Sequence, residues 1–276
     1  MKSKLAQIFR IQGYLNDIKY PDSYRIAREI SQYLNSKKRI SEDSIFERLH
    51  KEEPWEYIRG YSKFCENDFR VTKDTLIPRI ETEQLVYDCK KLIEKNDIKN
   101  IIDVGTGTGC IAISLAHLLK NKSHYSFFGT DISKEALKIA RYNEKKILKT
   151  KRVRWLNTNL IKSVPKLDGK TIIIANLPYI PSEQYENLDN SVQKYEPRLA
   201  LDGGKDGLSL YRELFTQIVQ KDIKITLIYM EFEESNLKHI KKLVKKFFPN
   251  SKLRAIRDCF EKDRFIRISL TQLPVE

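Results

Sequence analysis

The sequence predicts an α/β protein: a seven-stranded, mostly parallel sheet covered on both faces, behind a small N-terminal helical bundle and a linking β-hairpin. Three observations predict it. After residue 98, short apolar runs alternate with helical patterns across short connections, which is how a parallel sheet wrapped by helices reads. The last two strand candidates are separated only by DCFEKD, too short for a crossover helix, so they pair antiparallel. Residues 1–60 instead show helical periodicity, and only Gly13 precedes Gly60.

Each element follows in chain order. Apolar stripes fall at Leu5, Ile8, Phe9 and Gln12, at Tyr24, Ile26, Ala27, Ile30 and Leu34, and at Ile45, Phe46 and Leu49. Ser41 opens SEDS, a helix start with acids in its first turn. Residues 1–55 therefore read as a bundle of three to five helices. From Pro54 the texture changes: PWEYIRGYSKFCENDFRVTKDTLIPR mixes aromatic and β-branched residues with Gly, Asn-Asp and Pro breaks. That predicts a hairpin and extended linker over 56–80. A third region, 81–276, opens with the helix ETEQLVYDCKKLIEKN, which sets Leu85, Cys89 and Leu92 on one side. Strand candidates follow at 100–104, 125–130, 152–156, 171–176, 225–231, 252–257 and 264–270, with helices at 110–120, 133–148, 208–221 and 234–247.

Composition bounds the function. A chain of 276 residues with 41% apolar content builds one large domain, or a medium one with a smaller companion. No apolar run approaches the roughly 18 residues that span a bilayer, and the charged start lacks the apolar middle of a signal peptide. The expectation is a cytoplasmic protein without a membrane partner. Cys65, Cys89, Cys110 and Cys259 are scattered, and His50, His117, His124 and His239 form no HxxxH or HxH cluster, so no metal site is expected. The net charge of +14 has two readings. It suits a polyanionic partner such as RNA, or it reflects a chain-wide lysine bias on solvated helix faces such as 145–152 and 238–246. No coiled-coil seam is visible, and the chain reads as a monomer.

The first candidate site is a glycine turn. Asp103, Val104, Gly105, Thr106, Gly107, Thr108 and Gly109 lie between a buried strand and a helix. Glycines there let the backbone approach a ligand, and the helix N-terminus offers unpaired N–H groups. The spacing is GxGxG rather than the dinucleotide GxGxxG, which argues against NAD. The next strand ends at Asp131, where a carboxylate can accept both hydroxyls of a ribose. A purely structural turn would explain the glycines and leave Asp131 unexplained. Strand, GxGxG, helix, strand and acid in this order resemble the class I S-adenosylmethionine-dependent methyltransferases, a Rossmann-like fold, across residues 98–270. The resemblance implies that Gly105 to Gly109 wrap the methionine end of S-adenosylmethionine, that Asp131 holds the ribose, and that Asn159 and Leu160 edge the adenine. The product would be S-adenosylhomocysteine. An acid is common where Asn159 stands, so Asn159→Asp is expected to tighten the cofactor.

The second site is IIIANLPY, residues 172–179. In that fold this strand neighbours the first one, so its carboxyl end sits beside the cofactor's methyl group. Methylating an amide or amino-aryl nitrogen needs help, because the nitrogen lone pair is delocalised. The Asn176 side-chain oxygen and a backbone carbonyl can each accept one N–H, hold the lone pair toward the methyl, and stabilise the developing positive charge. Pro178 stiffens the loop and Tyr179 offers a flat face. A turn that merely closes a strand is the bland alternative. The tetrapeptide resembles the (Asn/Asp)-Pro-Pro-Tyr motif of methyltransferases that act on planar nitrogens, departing at Leu177, where Pro is usual. The residue-177 carbonyl survives that change; the stiffness of the loop does not.

Asn-Leu-Pro-Tyr is also similar to the form in ribosomal RNA adenine dimethyltransferases, but those begin near their glycine motif. Here DTLIPRIETE (74–83), EPRLALDGGKDG (196–207) and RDCFEKDR (257–264) resemble, in order, signatures of the PrmC/HemK protein-glutamine methyltransferases, which modify peptide-chain release factors. That resemblance covers nearly the whole chain. It implies a substrate: the glutamine of the Gly-Gly-Gln motif of class 1 release factors, bound by Asn176, Leu177, Pro178 and Tyr179 and held by the N-terminal bundle, with no nucleic acid required. Two glycines in the substrate let it thread a narrow channel. Arg79, Glu81 and Glu83 are expected in a cleft between domains, as binding or structural groups, and Glu196 and Arg198 as binding groups or as an ion pair that holds a lid. An RNA or DNA adenine methyltransferase and a non-catalytic scaffold remain the alternatives.

Overall fold

The computed structural model describes residues 2–36, 40–120, 124–221 and 223–270. The chain divides into two compact units, Met1–Tyr61 with Asp189–Tyr195, and Ser62–Leu188 with Glu196–Glu276.

The first unit is helical: α1 (Lys2–Asp17), α2 (Ser23–Leu34), α3 (Glu42–His50) and α4 (Trp55–Arg59). Ser41 caps α3, its hydroxyl accepting from the Ser44 N–H. Ile11, Leu15, Ile30, Ile45 and Trp55 are fully buried. The first stripe turns out narrower than its periodicity suggested. Ile8, Ile11 and Leu15 face inward, whereas Leu5 and Phe9 are exposed. Two overlapping three-and-four spacings compete in this segment, and the one that includes Ile11 and Leu15 packs. Tyr24 is likewise exposed. The segment Asp189–Tyr195, which includes the short α8 (Asn190–Tyr195), joins this unit, and the Tyr195 hydroxyl donates to the Lys51 carbonyl at 2.9 Å.

The second unit opens with the hairpin β1 (Tyr61–Phe64) and β2 (Asn67–Arg70), then α5 (Glu81–Lys95). Alternating strands and helices follow: β3 (Asn100–Val104), α6 (Cys110–Leu118), β4 (Ser126–Asp131), α7 (Lys134–Ile147), β5 (Val153–Asn157), β6 (Thr171–Ala175), α9 (Ser209–Gln220), β7 (Ile225–Glu231), α10 (Leu237–Phe247), β8 (Lys252–Arg257) and β9 (Asp263–Ser269). The seven-stranded sheet has the order β5-β4-β3-β6-β7-β9-β8. Pairings from β5 to β7 are parallel, and β9 is antiparallel to both neighbours.

Strand β6 shows why the sheet is sandwiched. All five of its residues are buried. Ile172 and Ile174 join the core layer with Leu85, Ile111 and Leu115 of α5 and α6; Ile173 and Ala175 join the opposite layer with Leu214, Phe215 and Val244 of α9 and α10. Successive side chains point to opposite faces, so an unbroken apolar run is what two covered faces require. Between β6 and α9, periodicity gave no helix. The structure places short turns there, at Ser182–Asn187 and Arg198–Ala200 besides α8, too brief to carry a 3.6-residue repeat. Among the described residues no helix is long and apolar enough to cross a membrane.

Candidate active site

The site is built by strand register. Val104 of β3 pairs with Thr130 of β4 and with Ala175 of β6, and Ala175 pairs with Met230 of β7. The next residue on each strand is therefore Asp131, Gly105, Asn176 or Glu231. Four groups singled out by chemistry or burial stand in one row across the carboxyl edge of the sheet, about 5 Å apart from strand to strand. Chain order reverses at β3, with β4 on one side and β6 on the other, and such a switch point is where open α/β sheets hold ligands.

An open pocket with an empty volume of about 840 Å³ lies over this row. Its walls include Gly105, Gly107, Asp131, Asn159, Leu160, Asn176, Leu177 and Pro178. The other residues of the glycine turn do not line it; they hold it up. Asp103 is buried, and its Oδ2 accepts from the Thr106 hydroxyl and, at 3.2 Å, from the Ala112 N–H at the start of α6. Its Oδ1 is buried without a partner, and burial pushes the Asp103 carboxyl up to about 7. The Thr108 carbonyl accepts from Asn143 Nδ2 at 2.9 Å. Gly109, at φ 80°, caps α6; a Cβ there would stand 2.8 Å from Ile113 and 2.9 Å from Trp155. The need for glycine at 109 is packing between helix and sheet.

Asp131 is held by backbone. Its Oδ2 accepts from the Gly107 N–H at 2.9 Å and its Oδ1 from the Ser133 N–H at 2.8 Å. Burial nonetheless raises its pKa above the usual carboxylate value. Each oxygen keeps acceptor capacity, and Asp131 lines the pocket, so its carboxylate is a fixed group suited to a diol. Beside it Ile132, Ala136 and Leu160 form apolar wall. A carboxylate next to apolar surface fits a ribose carrying a planar base, so the residues present suit an adenosyl cofactor.

At the other end the Asn-Leu-Pro-Tyr loop is tied down through Glu231. Asn176 Nδ2 donates to Thr82 Oγ1 at 3.3 Å, the Thr82 hydroxyl donates to Glu231 Oε2 at 2.8 Å, and the Tyr179 hydroxyl donates to Glu231 Oε1 at 3.3 Å. Committing Nδ2 to Thr82 leaves the amide's acceptor, Oδ1, as the end not spent on the protein. Burial pushes the Glu231 carboxyl up to about 7, against the lowering effect of Thr82 and Arg264. Tyr179 does not line the pocket; its ring is half-buried and its phenol is raised by burial. Thr82, between Glu81 and Glu83, is a site residue that the sequence motifs do not name. The signal was available: stepping back three residues from Leu85 along the apolar side of α5 reaches Thr82, which is buried. Glu83 instead accepts from the Cys65 N–H at 3.0 Å and secures the hairpin turn.

Two flanking segments add to the walls, through Asp74, Thr75 and Leu76 and through Pro197, Leu199 and Ala200. Glu196 joins them. Its carboxylate accepts from Arg79 Nη2 at 2.6 Å and from the Ile77 N–H at 3.1 Å, and its side chain is 2% exposed. Neither Arg79 nor Glu196 lines the pocket. The segment is thus held by an ion pair of Glu196 with Arg79, and Arg198 pairs separately with Asp202. The glycines of EPRLALDGGKDG press on the loop itself. A Cβ on Gly203 would stand 2.6 Å from the Pro178 carbonyl oxygen, and one on Gly207 2.2 Å from that of Tyr179. Asn159 lines the pocket and has a carboxylate neighbour. Its Nδ2 donates to Glu213 Oε1 at 2.5 Å, so an aspartate there would face a carboxylate rather than an empty edge.

A family model described as "Methyltransferase domain" matches residues 95–192. The release factor glutamine methyltransferase of Lactococcus lactis subsp. lactis (strain IL1403) is 35% identical over 224 residues, covering 81% of this chain and 80% of the relative. The chain belongs to the release factor glutamine methyltransferase family. The family's Bacillus subtilis (strain 168) member is 35% identical over 240 residues, 82% of this chain and 81% of its own. The fold is shared more widely. The N-terminal domain of human METTL16, solved in complex with SAH, superposes with a TM-score of 0.52 at 13% identity, covering 74% of this chain and 76% of that one. As a family member the protein is a methyltransferase, and the sheet is the class I methyltransferase sheet.

Proposed function

We propose that this protein transfers a methyl group from S-adenosylmethionine to the side-chain amide nitrogen of the glutamine in the Gly-Gly-Gln motif of class 1 release factors. One observation carries the reading. Asn176 is fixed through its Nδ2 by Thr82, so that its oxygen is the unspent end, in a pocket shared with the Asp131 carboxylate and the glycine turn. Relatives named for release factor glutamine methylation, at about 80% coverage of both chains, support the substrate class.

Asp131 would hold the ribose, Gly105 and Gly107 the methionine end, and Asn159 and Leu160 the adenine edge. When bound, the cofactor supplies an electrophilic sulfonium methyl. The protein's part is orientation. Asn176 Oδ1 and the Leu177 carbonyl would each accept one N–H of the carboxamide, which holds the amide plane so that the nitrogen lone pair faces the methyl, and stabilises charge as the C–N bond forms. One of those protons then leaves to water, and S-adenosylhomocysteine and the N-methyl amide remain. Pro178 and Tyr179 shape the slot. Arg79 and Glu196 act on substrate by fixing segment 74–79. The helical unit, where Leu5, Phe9 and Tyr24 are exposed, holds the release factor. The enzyme works as a cytoplasmic monomer, without nucleic acid.

The test is incubation with methyl-labelled cofactor and a release factor, its Gln→Ala variant in the Gly-Gly-Gln motif, or bulk ribosomal RNA. Label on the wild-type factor alone is expected. Label on RNA, or on the variant factor as strongly as on the wild type, overturns the proposal.

A further inference from the structure

The loop residue that departs from the family pattern makes a hydrogen bond that the usual residue cannot make. The Leu177 N–H donates to the Tyr211 hydroxyl at 3.3 Å, and the Tyr211 hydroxyl donates to the Glu231 carbonyl at 2.5 Å. Tyr211 stands on α9 and is fully buried; Leu177 is 3% exposed. A phenol that accepts from one backbone and donates to another is a complete bridge. It joins the strand end that carries the candidate amide to the neighbouring strand end that carries Glu231. Proline at 177 would have no N–H to offer and would fix its own φ instead.

We infer that Tyr211 is a positioning residue for the reaction: by bridging the Leu177 N–H to the Glu231 carbonyl it holds the residue-177 carbonyl in place, supplying the stiffness that proline supplies at this position elsewhere. This rests on the function proposed above, in which that carbonyl accepts a substrate N–H. The geometry favours a role in orientation over a role in binding. Tyr211 does not line the pocket, so it touches neither substrate nor cofactor. Its hydroxyl proton is not available to chemistry, because burial raises the phenol well above its ordinary value. What it can do is fix the 176–177 peptide plane; the residue-177 carbonyl follows from it, because a residue before proline is confined to extended ψ. Rotation of the 176–177 region would move both acceptors, since Asn176 and the 177 carbonyl are adjacent in the chain. The other two ties on this loop act on side chains, Thr82 on Asn176 and Glu231 on Tyr179. Within this set, the Tyr211 bridge acts on the loop's main chain.

A double-mutant cycle tests the inference. Tyr211→Phe removes the hydroxyl, and Leu177→Pro removes the need for it. In the wild-type background, Tyr211→Phe is expected to lower kcat for release-factor methylation by about 10-fold, with KM for the cofactor within twofold. In the Leu177→Pro background the same substitution is expected to lower kcat by less than threefold. Equal losses in both backgrounds overturn the inference. A wild-type enzyme that leaves release factor unlabelled overturns the proposed function instead, so the two failures are distinct. A second readout does not depend on the proline variant folding. The Leu177 amide should exchange with solvent at least 10-fold faster in Tyr211→Phe than in wild type, while the Ile173 amide, inside β6, keeps its rate. Unchanged protection of Leu177 also overturns the inference.

Discussion

Thr82→Val separates orientation from chemistry at the Asn176 acceptor. The substitution keeps the branched shape and deletes one oxygen, which makes two bonds: 3.3 Å from Asn176 Nδ2 and 2.8 Å to Glu231 Oε2. The Asn176 bond is long and between neutral groups, worth about 0.5–1.5 kcal/mol net. That energy is what favours the amide orientation with Oδ1 unspent. Its loss translates at about 1.4 kcal/mol per tenfold into a fall in kcat of about 2- to 10-fold. Asn176→Ala removes the acceptor itself and falls in the class of pre-aimed groups worth about 100-fold or more. The ordering Asn176→Ala below Thr82→Val below wild type is therefore fixed by geometry. The Glu231 bond adds a stability cost of about 1–3 kcal/mol, because a buried carboxyl loses one of its two hydroxyl donors. Kinetics at saturating release factor read the first effect, urea unfolding reads the second, and calorimetry should find cofactor affinity unchanged. If Thr82→Val matched Asn176→Ala in kcat, or matched wild type in both kcat and stability, the Asn176–Thr82–Glu231 chain would have no role of this kind.

Four further outcomes are expected. Asn176→Ala should lose about 100-fold or more in kcat with cofactor affinity retained; activity within a few-fold of wild type would contradict the assigned acceptor. Glu231 has its pKa raised by burial from 4.5 to about 7, so its native state favours the proton. The stability this contributes is full below pH 4.5 and is lost as pH rises through 7, amounting to about 3 kcal/mol. Asp103, also raised to about 7, adds a parallel fall. Glu231→Gln should therefore lose less stability than wild type between pH 5 and pH 8 in urea titrations, and parallel curves would count against the shift. Asn159→Asp should fail to tighten cofactor binding in calorimetry, because Glu213 lies 2.5 Å from the Asn159 amide; pairing it with Glu213→Gln should recover affinity, and a tighter single variant would restore the simpler adenine-edge expectation. Gly203→Ala should cost about 1–3 kcal/mol by overpacking and lower kcat, since its Cβ would press on the backbone at Pro178; an unchanged melt would show that the loop can yield.

Much of the fold was legible because the strongest signals were local and repeated. The unbroken run Ile172–Ile173–Ile174 announces a strand buried on two faces, and DCFEKD admits only a hairpin. Asp131 and Asn176 were legible for a different reason: polar groups at the ends of apolar runs have no packing explanation. What stayed hidden lies in pairwise contacts that no single segment encodes. Thr82 looks like an ordinary first-turn threonine until the register brings Glu231 opposite Asn176. Tyr211 looks like a core aromatic until its hydroxyl meets two backbones. The ion pair of Glu196 joins it to Arg79, 117 residues earlier in the chain, a partner that no local pattern names. The exposure of Phe9 was hidden for the same reason, since periodicity offers two faces and only packing selects between them.

The polypeptide passes between its two units three times, at residues 61–62, 188–189 and 195–196. The third crossing comes directly before Glu196, the anchor of segment 74–79. A shortened gene that starts at residue 62 would thus retain a seven-residue stretch, Asp189–Tyr195, stripped of the helices it folds with and spliced between the Asn-Leu-Pro-Tyr loop and that anchor. Such a fragment should express as a sheet with a loose strap, and the lesson for engineering is that the amino-terminal helices are woven into this enzyme rather than appended to it.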